Sequence, residues 1–286
     1  MSSVEDRFTA LRHAPPDLAG AAEAAFAALH RADPAIRALG AGIATAVGDE
    51  AAQASELPYH NRYHVSEAVR AMGCLCGLAA EIGLISDEQA SLGVAAMIGH
   101  DWGHDGTPGG DGRLERLAAD RVLARAQSLS VAARAVLTEV IVATNPALVD
   151  ENAARAAGEL PPRPLGPGVD ALCHIANEAD VFASLLPELG WLEAEALAEE
   201  WHASPPRARE VMSFAGRLQL LRTYHRFSPP AVRIGLAGLC ARQVGCFVPA
   251  AGMAAGTTPE QAAERLDAMP RARARAAYRA AFAAAG

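Results

Sequence analysis

Pro58–His64 reads PYHNRYH, and Ile98–Gly106 reads IGHDWGHDG, the first histidine of the second stretch falling thirty-six positions after the last of the first. Four of the chain's nine histidines, His60, His64, His100 and His104, fall in these two short segments. Between them the pattern is helical. Asn61 is placed to cap a helix running to about Gly83, and Ser86 with Asp87 and Glu88 opens a second one running to about Asp101. At ~1.5 Å per residue the climb from His64 to Gly83 is ~29 Å and the return from Ser86 to His100 is ~21 Å. A tight helical hairpin therefore returns His100 to the end at which His64 starts.

Outward from this hairpin the chain keeps a helical period, no strand alternation of useful length occurs, and no internal repeat is visible. An all-α, compact multi-helix bundle is expected. The framing helices are Val4 to Leu11, Asp17 to His30, and Pro34 to Val47 behind Asp33. The segment Asp105–Arg113 breaks the pattern, and helices follow from about Arg113 to Ala126 and from Ser130 to Thr144. Pro161, Pro162, Pro164 and Pro167 mark a loop, after which a helix from Val169 to Leu186 carries His174 and Asp180. Pro206 to Tyr224, Pro229 to Phe247 and a segment from Thr258 to Arg279 complete the chain. One domain, residues 1–286, is expected, with residues 1–50 as a framing segment, 51–250 as the core of the site and 257–286 as the C-terminal helix.

Composition removes several classes of function. All 25 basic residues are arginine, so neither a Schiff-base lysine nor a phosphate-loop lysine exists. A net charge of -8 offers no general attraction to a nucleic acid polymer or an anionic membrane. The five cysteines lack a disulfide-framework spacing and read as thiols. The opening residues MSSVEDRFTALRHAPP show neither a signal peptide nor a spanning segment, so a cytoplasmic setting is expected.

His64, His100, Asp101 and Asp180 make a two-nitrogen, two-oxygen ligand set. Imidazole with carboxylate suits zinc, iron or manganese and leaves coordination positions open. Asp101 has a second oxygen to share with a water-rich magnesium or manganese ion. Two such ions activate water and stabilise charge on a phosphoryl group. His60, just outside the helix cap, is placed to protonate a leaving alkoxide. His104, Glu115 and Thr144 could hold metal-bound water or be ordinary helix-terminal and surface residues. Trp102 could wall the site or simply pack. The arginines between Arg271 and Arg279 read as a solvated helix face.

The segments PYHNRYH, IGHDWGHDG, GRLERLAAD, VIVATN, IANEAD and RQVGCF resemble, in order, motifs of the HD-domain metal-dependent phosphohydrolases, and most closely the catalytic domain of class I 3',5'-cyclic nucleotide phosphodiesterases. The resemblance implies His60 as general acid, with His64, His100, Asp101 and Asp180 around a tight metal. It further implies His104, Glu115 and Thr144 around the waters of the second metal, and substrate contacts from Gln243 and Phe247. Its expected substrate is a small-molecule phosphodiester, cyclic AMP or cyclic GMP first, attacked by a metal-bridged hydroxide. The sequence departs from the family at Gly109, Leu117, Ala118, Asn145, Ala183 and Cys246, all outside the four-residue ligand set. A nucleotide phosphohydrolase of the same superfamily, an HD-fold di-iron oxygenase and a non-catalytic binding protein are the other readings.

Overall fold

The computed structural model describes residues 4–53 and 55–285, which contain helices and no strand. The outermost residues of the expected domain, 1–3 and 286, and residue 54 lie outside the described residues. The first half is built from α1 (Val4–Arg12), α2 (Leu18–Ala27), α3 (Pro34–Gln53), α4 (Arg62–Glu81), α5 (Asp87–Ile98), α6 (Arg113–Arg125), α7 (Val131–Ala143) and α8 (Val149–Ala156). The second half follows as α9 (Pro167–Asp180), α10 (Leu189–Glu200), α11 (Pro205–Val211), α12 (Phe214–Thr223), α13 (Pro229–Arg233), α14 (Leu236–Gly245), α15 (Phe247–Ala250), α16 (Pro259–Asp267) and α17 (Arg271–Ala284).

The hairpin forms for the reasons its termini suggest. Asn61 accepts hydrogen bonds from the amides of Tyr63 and His64, and Ser86 with Gln89 closes a reciprocal capping box. Helix α4 is the central element, packed against α2, α5 and α9, while α5 packs against α3 and α7. One contiguous apolar core runs from Leu18 to Tyr278. Among the described residues no single helix is long and apolar enough to cross a membrane. No disulfide forms, and four of the five cysteines are buried.

Several expected helices are broken. Helix α9 ends at Asp180 instead of reaching Leu186. The carbonyls of Ser184 and Leu186 accept from the guanidinium of buried Arg217, and that of Leu185 accepts from Gln243 Nε2. These distant donors hold the segment beyond Asp180 in a separate turn. The Pro206–Tyr224 pattern splits at Ser213, because the Asp267 carboxylate accepts from the amides of Phe214 and Ala215 and so holds a fresh helix start. Gly235, at φ 84, separates α13 from α14, and Pro270 separates α16 from α17. The arginine-rich helix α17 is not simply solvated: Arg275 pairs with Glu195, Arg279 with Glu188, and Tyr278 is buried.

Candidate metal centre

Four side-chain atoms converge where the hairpin closes on the end of α9. His64 comes from the first turn of α4, His100 and Asp101 from the turn just beyond α5, and Asp180 from the last residue of α9. His64 Nε2 lies 3.2 Å from Asp101 Oδ2 and 3.1 Å from Asp180 Oδ1, and His100 Nε2 lies 3.1 and 3.2 Å from the same two oxygens. Ligand atoms about 2.0–2.2 Å from one ion stand about 3.0–3.4 Å from their neighbours. The two imidazole planes are inclined at 57°, which lets both in-plane lone pairs meet at one point.

The hydrogen bonding favours the same interpretation. His100 Nδ1 donates to the Met97 carbonyl at 2.8 Å, which leaves Nε2 as the lone-pair nitrogen in the neutral ring. His64 Nε2 and Asp101 Oδ2 are buried and have no hydrogen-bond partner. Buried polar atoms without a partner are costly, and a divalent cation satisfies all four atoms at once. The residues therefore fit a metal ion. Without one, burial opposes charge on His64, yet the carboxylates of Asp101 and Asp180 win and raise its pKa to about 10. Burial pushes Asp180 up, but the two histidines outweigh it and bring it down to about 2.

His60 stands beside this group. Its Nδ1 is 2.5 Å from Glu200 Oε1, and Glu200 Oε2 accepts from the backbone amides of Tyr59 and His60. One carboxylate at the end of α10 thus serves the His60 ring and two backbone amides, and it directs the opposite nitrogen of His60 outward. The His104 ring stacks on that of His60 at 3.5 Å and 19°. Gly106 N–H donates to His104 Nδ1 at 3.0 Å, so the proton of the neutral ring is on Nε2. Burial, followed by the nearby His60, lowers the His104 pKa to about 4. His60, His104 and Glu200 also lie close enough together to resemble a ligand group. Parallel rings cannot both aim their in-plane lone pairs at one ion, so this trio is a hydrogen-bonded stack in the geometry observed.

A cavity of about 510 Å³ opens onto both groups and is lined by His60, Asp101, His104, Glu115, Thr144 and Asp180 among others. Glu115 is in the first turn of α6; burial, with the fields of Asp101 and Asp180, raises its pKa, and its Oε2 is buried without a partner. Thr144 caps α7, its hydroxyl donating to the Ile141 carbonyl. That corner is held by a buried amide pair: Asn152 and Asn177 both donate to the Ala143 carbonyl, and Asn177 lies one turn before Asp180. Trp102 turns away from this cavity, donating to Glu50 beneath the cations of Arg121 and Arg125.

Gln243 and Phe247 are placed elsewhere. Both are fully buried and neither lines the cavity. Gln243 Oε1 accepts from Arg217 at 2.6 Å and its Nε2 donates to the Leu185 carbonyl at 2.7 Å, so both ends of the amide are used inside the protein. Many of the other lining residues come from α10 to α12 and the turn after α10, among them Leu197, Trp201, Gln219 and Thr223. Sequence reading missed Glu200 because α10 carries no recognisable motif. The run LEAEALAEE shows only a strong helix former with several carboxylates, and nothing distinguishes the last one.

No protein-family model matches this chain, and no curated protein sequence matches it. Among solved structures it is similar to a Leishmania class I phosphodiesterase catalytic domain, LmjPDEB1, determined in complex with IBMX. The TM-score is 0.50 at 12% identity, with 84% of this chain and 94% of that chain covered. At that identity the likeness is one of fold: an all-helical bundle of the same kind.

Proposed function

We propose that this chain is a metal-dependent phosphodiester hydrolase, with 3',5'-cyclic nucleotides as its first candidate substrates. One observation carries the reading: a convergent two-histidine, two-aspartate group presents Asp101 and Asp180, and a histidine–glutamate pair presents His60, to the same cavity. The fold shared with a phosphodiesterase catalytic domain supports it.

His64, His100, Asp101 and Asp180 would hold the tighter ion, zinc, iron or manganese by their chemistry. Asp101, with Glu115, Thr144 and His104 around it, would serve a second, water-rich magnesium or manganese. Bound divalent cations supply water activation near neutral pH and shield phosphoryl charge. The chain's own groups do the rest. Glu200 accepts from His60 Nδ1–H, and the imidazolium form of His60 gives the proton of its outward nitrogen to the leaving alkoxide. His104 Nε2–H donates to a phosphoryl oxygen. The organic part of the substrate lies along Leu197, Trp201, Gln219 and Thr223, since Gln243 is fully buried outside the cavity.

The deciding experiment incubates the purified protein with manganese or magnesium and a panel of cyclic AMP, cyclic GMP, bis-p-nitrophenyl phosphate and a nucleotide monophosphate. Hydrolysis of the diesters, lost on His64→Ala, is expected. Cleavage of the monophosphate alone would move the reading to a phosphatase. Oxygen consumption with about two irons per chain would sink the hydrolase reading altogether.

A further inference from the structure

The first helix touches α4, α10 and the segment just beyond α9. Arg12, at the end of α1, holds Glu67 through two hydrogen bonds, from Nε at 2.7 Å and Nη2 at 3.0 Å, and the same Nη2 reaches Glu193 Oε1. Both carboxylates are 1% exposed, whereas the guanidinium is one-fifth exposed. Glu67 follows His64 by three residues on α4, so the two share a helix face. Glu193 precedes Glu200 by seven residues on α10, two turns along the same face and about 10 Å away. Phe8 stacks on Phe182, two residues beyond Asp180, with ring centroids 4.9 Å apart.

We propose that Arg12 is a positioning residue for the His60–Glu200 pair: it ties α10 to α4 and so sets where Glu200 meets His60. This rests on the hydrolase reading for its kinetic readout only. The physical argument is one of a shared partner. Glu67 and Glu193 are adjacent buried acids, and one guanidinium hydrogen-bonds both. Removing it leaves two buried acids side by side, which is strongly unfavourable. Without the bridge α10 is no longer tied to α4 at Glu193 and is free to withdraw from it. Glu200 moves with α10 and loosens its hold on His60, while His64, His100, Asp101 and Asp180, all borne on other elements, keep their places.

The test compares two leaving groups in the full-length protein. Arg12→Ala is expected to lower kcat for a cyclic nucleotide, whose alkoxide must be protonated, by about 10- to 100-fold, within the range general acids contribute. Turnover of bis-p-nitrophenyl phosphate, whose leaving group is a weak base, should change by less than about threefold. Arg12→Lys should fall between, since an ammonium cannot bridge both carboxylates in the same geometry. Arg12→Ala combined with Glu193→Gln should recover most of the loss, because the new amide can donate to Glu67. Equal losses on both substrates, or no loss where His60→Ala shows a selective one, overturn the proposal.

A second readout does not depend on turnover. The short His60–Glu200 hydrogen bond should give a downfield proton resonance, assigned by its absence in His60→Ala. It should shift or broaden in Arg12→Ala, and in Arg12→Lys should the alanine variant not fold; an unchanged resonance in the folded variant overturns the proposal. If wild-type protein hydrolyses no diester, the hydrolase reading falls, and this resonance still decides the role of Arg12.

Discussion

Two buried glutamates show how differently one residue type can be used. Glu200 accepts at both oxygens, from the His60 ring at Oε1 and from two backbone amides at Oε2. A glutamine can offer only one acceptor there, so Glu200→Gln must leave either the ring or the amides facing an NH2 group. A fall of ~10²-fold in kcat on cyclic nucleotides is expected, with little change on p-nitrophenyl esters, read by steady-state kinetics. Glu178 meets the amide of Ser228 at one oxygen and its hydroxyl at the other. A hydroxyl both donates and accepts, so a protonated carboxyl or a glutamine fits equally well. Burial, opposed by the Ser228 hydrogen bonds, raises Glu178 to about 7 against an ordinary 4.5. A raised carboxyl means that between about 4.5 and 7 the folded state binds more protons than the unfolded one, so stability falls as pH rises through that window. Urea unfolding of Glu178→Gln should show a shallower loss over the same window than wild type; an identical pH slope would refute the assignment. Glu178 stands in the readable IANEAD segment, whereas Glu200 has no such context, which is why only one of the two neighbourhoods could be anticipated.

At the scale of elements, the hairpin was legible because both of its starts are capped by their own side chains, a local effect. The breaks after Asp180 and at Ser213 were not, because their partners, Arg217 and Asp267, bond to residues 31 to 53 positions away in sequence. The crossing of α2 and α4 illustrates the same limit. Gly73 and Gly77 sit one turn apart on α4, and a Cβ on Gly73 would stand 2.5 Å from Ala25 Cα, while one on Gly77 would stand 2.5 Å from the Ala28 carbonyl oxygen. Helical preference alone favours Gly73→Ala by ~1 kcal/mol. Overpacking against backbone, which cannot rotate away, costs ~1–3 kcal/mol. The second effect wins, so chemical denaturation should find Gly73→Ala less stable than wild type. At Gly48, where an added Cβ meets nothing within 4 Å, the same substitution should stabilise.

Across the whole molecule, the candidate ligands are brought together by three chain segments up to 116 residues apart, the first turn of α4, the turn after α5 and the end of α9. An ion binding there ties these segments in the folded state and has no equivalent site in the unfolded chain. Binding therefore adds to stability by RT ln(1 + [L]/Kd), about 4 kcal/mol at a thousandfold excess over Kd. In a chain of this size that is a rise of several degrees in Tm. The rise should also depend on pH. With no ion bound, the neighbouring carboxylates overcome burial and hold His64 protonated up to about 10, with His100 raised in the same direction. An ion must displace those protons, so its apparent affinity should increase with pH between 6 and 8. Thermal melts with manganese against chelator at pH 6, 7 and 8 should show a widening gap. Asp180→Asn removes one anionic ligand while Asp101 and both histidines remain, and it should nearly close the gap at every pH. A gap that persists in that variant, or that narrows as pH rises, would place the stabilising ion elsewhere on the molecule.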